Sequence, residues 1–115
     1  IALLLKHAPQ DCIAFVDAGR GPQIRGFAEA ALRRDYVNGC ETSPVGYLEG
    51  IYVQAGHRDA GVGRALVQAV QEWARERGCQ ELASDADLAN LGSQAFHKAA
   101  GFEKTERVVY FRQEL

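Results

Sequence analysis

The chain has 115 residues, 47% hydrophobic and 24% charged, a balance that suits one globular domain spanning residues 1–115 and excludes disordered, collagen-like and coiled-coil sequences. A formal charge of −2 gives no whole-chain basic footprint for nucleic acid. No apolar run exceeds five residues, residues 1–5 (IALLL) among them, and no basic stretch precedes that run, so neither a membrane segment nor a signal peptide is expected.

Residues 1–7 read as the last turns of a helix. Residues 12–16 (CIAFV) are apolar and β-prone and read as a strand. Residues 18–22 form a turn on Gly and Pro. Residues 24–34 read as a second strand in a hairpin with the first, although their alanines leave a helix open. Residues 35–44 (DYVNGCETSP) are rich in turn formers and read as a loop. Residues 45–53 (VGYLEGIYV) are a third strand, in which Gly46 and Gly50 mark a bulge or a close backbone approach. Residues 61–77 are the clearest helix: Val62, Leu66, Ala69, Val70 and Trp73 share one face, and Gly78 is a natural stop. A short strand at 81–84, a second helix at 89–100 ended by Gly101, and a closing strand at 103–112 complete a β-β-β-α-β-α-β order, a mixed α/β fold.

Cys12, Cys40 and Cys79 are odd in number and widely spaced, without a CxxC pair. They suggest free thiols in a reducing compartment, hence the cytoplasm, and no metal site or disulfide framework. The first residue is Ile and the sequence contains no Met, which reads as part of a longer chain.

The chemically informative stretch is residues 51–66 (IYVQAGHRDAGVGRAL), where a strand runs into a loop with Arg58, Gly61 and Gly63 that opens a helix. Glycines let backbone N–H groups close on an anion, and a helix N-terminus adds donors and partial positive charge. A pyrophosphate fits such a loop, with Arg58 as a cation beside it and Arg64 as a second candidate. A tight strand-to-helix turn needs the same small residues, so the spacing alone leaves both readings open. The Gly-Lys-Ser/Thr of a Walker A loop is missing, and position 58 is Arg where a dinucleotide fingerprint needs its first Gly.

Residues 58–63 (RDAGVG) resemble the R/Q-x-x-G-x-G/A acyl-CoA loop of the GNAT acetyltransferase superfamily, and Asn90, a helix and Gly101-Phe102 resemble its second motif. Residues 34–40 (RDYVNGC), 48–51 (LEGI), 83–85 (ASD) and 101–109 (GFEKTERVV) look more narrowly like the bacterial aminoglycoside 6′-N-acetyltransferases. The finer resemblance runs from about residue 24 to the C-terminus. It implies a mostly antiparallel GNAT-like sheet with flanking helices. It also implies that the family's N-terminal strand and helices, which wall the acceptor cleft, are missing from these 115 residues.

The resemblance further implies acetyl-CoA as cosubstrate. Its pyrophosphate would lie on Arg58, Gly61, Val62, Gly63 and Arg64. Its pantetheine arm would be held by backbone of Ile51 and Val53 and by Asn90, where the third and fourth strands part. The amine would attack the thioester directly in a ternary complex, which requires a base. Asp85 is the first candidate and Glu49 the second; as plainer readings, Asp85 caps the following helix and Glu49 is a sheet-surface carboxylate. A backbone N–H near Tyr52 would stabilise the oxyanion. His97 stands where many members carry a Tyr as acid for the thiolate, and packing within its helix is the other reading.

A polycationic acceptor calls for carboxylates. Glu41, Glu49, Asp85, Asp87 and Glu106 are candidates, and Tyr36 and Glu41 lie in the loop that family dimers use to complete a neighbour's site. A homodimer is therefore implied. Two alternatives stand beside the aminoglycoside reading: a GNAT enzyme for another amine, and a non-catalytic CoA-binding fragment.

Overall fold

The computed structural model describes residues 2–4, 11–18, 23–58 and 61–115. Five strands form one sheet in chain order: β1 (Ala2–Leu4), β2 (Cys12–Asp17), β3 (Gly26–Arg33), β4 (Val45–Val53) and β5 (Leu82–Ser84). Neighbours are antiparallel except β4 and β5, which are parallel. The helices are α1 (Val62–Glu76) and α2 (Leu91–Ala99), and a 3-10 turn spans Ala55–His57. The mixed, mostly antiparallel α/β sheet is the expected one.

The element order differs from expectation at both ends. Ala2–Leu4 is a strand, not a helix tail: Ala2 lies opposite Val16 and Leu4 opposite Ala14. Pairing with the edge of β2 overrides the weak helix preference of an Ala/Leu run. The remaining residues of the expected helix tail, 1 and 5–7, lie outside the described residues, as do 19–22 of the expected turn. At the other end, residues 103–112 carry no strand. Their β-prone side chains express that preference only against a partner strand, and Val109, Tyr110 and Phe111 stand 77%, 82% and 93% exposed.

The chain forms two compact units, Ile1–Asp85 and Ala86–Leu115. In the first, α1 packs on β2, β3 and β4. It buries Val62, Leu66, Val67, Val70, Trp73 and Ala74, close to the predicted apolar face. Each fully buried aliphatic side chain contributes roughly 2 kcal/mol of hydrophobic stabilisation. The alanines that left a helix open explain this contact: Ala28 and Ala30 are 0% and 3% exposed, and their small side chains let α1 approach β3. Gly46 serves the same end, since a Cβ there would lie 2.9 Å from that of Ala74. The helix stops at Gly78 (φ +85), where Gly78 N–H donates to Arg75 O and Cys79 N–H to Ala74 O.

A smaller cluster of Val37, Val45 and Tyr47, with Cys40 and Ala83, joins the loop after β3 to β4 and β5. Glu81 ties that loop down: its carboxylate accepts from the amides of Glu41 (2.9 Å) and Thr42 (2.8 Å) and from the Thr42 hydroxyl.

In the second unit Asn90 caps α2, its Oδ1 accepting from Ser93 N–H at 3.0 Å. Gly101 (φ +99) ends it: Gly101 N–H donates to Lys98 O and Phe102 N–H to His97 O. The Gly-Phe pair of the second motif is thus a helix stop.

Candidate active site

The site begins with one extra residue in β4. Glu29 pairs with Gly50 and Ala30 with Leu48, so Glu49 is left over as a bulge. The bulge reverses which backbone groups face which neighbour. Before it, Gly46 N–H donates to Glu81 O, and Leu48 O accepts from the Ser84 hydroxyl, so even-numbered residues face β5. After it, Gln54 N–H donates to Arg25 O, so even-numbered residues face β3. The polar backbone groups of Ile51 and Val53 therefore face the side on which β5 has ended. Consistently, Val53 O accepts from Arg58 Nε at 3.2 Å. Tyr52 N–H points into the β3 ladder, whereas the backbone groups of Ile51 and Val53 do not. The Tyr52 ring lies beside Phe27, with centroids 6.0 Å apart.

Among the described residues, β4 and β5 pair only from Gly46–Leu82 to Leu48–Ser84. The next residue on each strand is a candidate base: Glu49 on β4 and Asp85 after β5. Two residues that sequence reasoning missed join them. Arg33 Nη2 contacts Glu49 Oε1 and Oε2 at 3.0 and 3.1 Å. The Arg33 guanidinium carbon lies 3.4 Å from the centre of the Tyr47 ring. The Tyr47 hydroxyl donates to Asp85 Oδ2. The missed signal was strand alternation: residues 45, 47 and 49 share a face until the bulge, and Arg33 sits opposite Val45. Glu49 is thus an exposed carboxylate on the sheet that is ion-paired with Arg33. Asn90, not Asp85, caps α2.

The loop from β4 to α1 presents the expected donors. Gly61 caps α1 in the left-handed region (φ +81), no side chain caps it, and the first turn holds no acidic residue. The first N–H groups of the helix, those of Val62, Gly63 and Arg64, lack intrahelical acceptors. Arg58 and Arg64 are exposed. Residues 59 and 60 of the motif lie outside the described residues.

Of the acceptor candidates in this unit, Tyr36 is 78% exposed and Glu41 is exposed, with its amide held by Glu81. The bond from the Thr42 hydroxyl, then that from the Glu41 amide, holds the Glu81 carboxyl below its ordinary range. Burial pushes the Cys40 thiol up, and the Glu81 anion adds to this. Burial also raises Cys79, against a smaller lowering by Arg34. All three cysteines are free.

In the second unit, His97 Nδ1 donates to Ser93 O at 2.7 Å, and its ring meets Phe102 edge-on at 5.2 Å. A neutral His97 therefore carries its proton on Nδ1. Asp87 accepts from Ala89 N–H, and Glu106 is exposed on the irregular C-terminal segment. Among the described residues, no group of three or more His, Cys, Asp or Glu side chains could hold a metal ion, and no helix is long and apolar enough to cross a membrane.

The profile of the acetyltransferase (GNAT) family matches residues 2–102. An aminoglycoside N(6′)-acetyltransferase type 1 of Stenotrophomonas maltophilia is 61% identical over 90 residues, covering 78% of this chain and 59% of that protein. One of the same name from Serratia marcescens is 55% identical over 102 residues, covering 89% and 70%. The solved structure of AAC(6′)-Iy in complex with the bisubstrate analogue CoA-S-monomethyl-acetylneamine superposes with a TM-score of 0.87 at 46% identity, over 91% of this chain and 71% of that one. The chain belongs to the GNAT acetyltransferase family and, within it, to the aminoglycoside 6′-N-acetyltransferases.

Proposed function

We propose that this chain carries the transfer of an acetyl group from acetyl-CoA to the 6′-amine of aminoglycoside antibiotics, by direct attack in a ternary complex, and so confers resistance. The observation that carries this reading is the parting of β4 and β5, which leaves Glu49 and Asp85 one on each side and the backbone of Ile51 and Val53 turned to the open edge.

The pyrophosphate of acetyl-CoA binds the first-turn amides of Val62, Gly63 and Arg64, with Gly61 allowing close approach and Arg58 adding charge. The pantetheine arm adds to β4 like a further strand, on Ile51 and Val53. Asn90 spends its Oδ1 on the helix cap, and its Nδ2 hydrogens are the donors left for the arm. Asp85 takes the proton of the 6′-ammonium, and the amine attacks the thioester carbon. The new C–N bond forms, the C–S bond breaks, and the second proton that the nitrogen sheds neutralises the departing thiolate. An amide of Ile51 or Val53 stabilises the oxyanion between these events. His97 supplies a proton to the thiolate only as imidazolium, since its neutral form spends its N–H on Ser93; a CoA thiolate leaves without much help.

Tyr36, Glu41, Glu49 and Asp85 of the first unit are the acceptor residues of this reading, where carboxylates attract a polycation, and the family resemblance adds Asp87 and Glu106. We read residues 1–115 as one GNAT-type domain, because the family match crosses the boundary between the two units. The exposed apolar run at 108–111 and the exposed Tyr36 support a homodimer. Three free cysteines suit the reducing cytoplasm.

The test is CoA-thiol release from acetyl-CoA with two aminoglycosides, one bearing a 6′-amine and one a 6′-hydroxyl. Release with the amine alone is expected. Release with polyamines and with neither aminoglycoside would move the activity to another amine.

A further inference from the structure

Two carboxylates stand at the strand parting, and the structure treats them differently. Glu49 is paired with a guanidinium through both oxygens, and Asp85 accepts from a hydroxyl through one. We propose that Tyr47, braced by Arg33, is a positioning residue that holds Asp85 as the base and leaves Glu49 to bind the acceptor. This rests on the reading of Asp85 as base.

The argument is one of rigidity. Tyr47 is 7% exposed and packed against Val37 and Val45, so its ring has one orientation. Arg33 lies on the face of that ring, and its ion pair with Glu49 keeps the guanidinium there. Such an exposed pair adds little to stability; its consequence here is geometric. Asp85 is exposed and follows the last residue of a three-residue strand, a place where a carboxylate turns among rotamers. The Tyr47 hydroxyl selects one rotamer by engaging Oδ2 and directs Oδ1 to the ammonium proton. Arg33 holds both oxygens of Glu49, whereas the Tyr47 hydroxyl holds one oxygen of Asp85.

The experiment compares Tyr47→Phe, Asp85→Asn and the double variant by steady-state kinetics with acetyl-CoA and a 6′-amino aminoglycoside. Tyr47→Phe should lower kcat about tenfold, the effect of losing one hydrogen bond to a charged group, while the KM for acetyl-CoA stays at the wild-type value. In the Asp85→Asn background the same substitution should have no further effect. Arg33→Gln should act in the same direction, to a smaller extent, and also only while Asp85 is present. It carries the test if Tyr47→Phe fails to fold.

A lowered melting temperature with wild-type kcat in Tyr47→Phe would make the hydroxyl merely structural and overturn the proposal. An equal loss with and without Asp85 would overturn it too. Wild-type kcat in Asp85→Asn removes the base assignment, and this proposal with it. Turnover that depends on Asp85 but not on Tyr47 overturns the proposal alone.

Discussion

A methyl group added to Gly26 would lie 2.6 Å from the carbonyl oxygen of Tyr52 on the neighbouring strand. It would also meet Val62 at 3.2 Å and Leu66 at 3.3 Å, both in the first turns of α1. Gly26 is therefore where the first turns of α1 rest on the sheet. Gly26→Ala should destabilise the fold by about 2 kcal/mol, the range for overpacking a close contact, as read from urea unfolding. An unchanged midpoint would mean that β4 and α1 yield at no cost.

Gly61 makes a different demand. Its φ is +81, and a Cβ there would meet nothing within 4 Å. Gly61→Ala should cost only backbone strain, about 1 kcal/mol. Gly61→Asp places a carboxylate on the amides assigned to the pyrophosphate, and should raise the KM for acetyl-CoA on the order of tenfold beyond Gly61→Ala. Equal KM values in the two variants would separate the loop from the cosubstrate.

Asn90 caps α2, and the proposed function also gives it a binding role that substitution can separate from the cap. Asp is as good an N-cap as Asn, whereas Ala loses about 1 kcal/mol of capping. Asn90→Asp keeps the cap on Ser93 and removes the amide hydrogens. Its melting temperature should match the wild type while the KM for acetyl-CoA rises. Asn90→Ala should show both a lower melting temperature and a higher KM. A wild-type KM in Asn90→Asp would leave Asn90 as a cap only.

Glu81 makes the loop from Glu41 to Thr42 sensitive to acid. Its carboxyl titrates below its ordinary value near 4.5, first because the Thr42 hydroxyl donates to the charged form. A depressed folded pKa contributes stability that is present above the unfolded value and is lost as the pH falls through the folded one. Glu81→Gln should therefore be less stable than the wild type at neutral pH, and the two should converge as the pH falls through the lowered folded value. Urea midpoints across that range measure it. A constant gap at all pH values would show that the carboxylate charge is not what holds the loop.

Much of the fold around the candidate site was legible in the sequence because its signals are local. Gly78 and Gly101 as helix stops, the apolar face of α1 and the glycine motif after Arg58 all depend on residues within a turn or two of one another. The ends of the chain were misread because strand formation is not local. Residues 2–4 became a strand because β2 presents an edge to pair with, and residues 103–112 did not because β-propensity needs a neighbour before it counts. The phase reversal at Glu49 was equally out of reach: Gly50 hinted at a bulge, but only the register with Glu29 and Ala30 shows which residue is extra. The sequence by itself determined the α/β class, the glycine-rich turn that opens α1 and the family to which the chain belongs. Only the tertiary structure decided that Arg33 and Tyr47 stand between Glu49 and Asp85, because that chain of contacts crosses three strands up to 52 residues apart, and its geometry comes from how they pair.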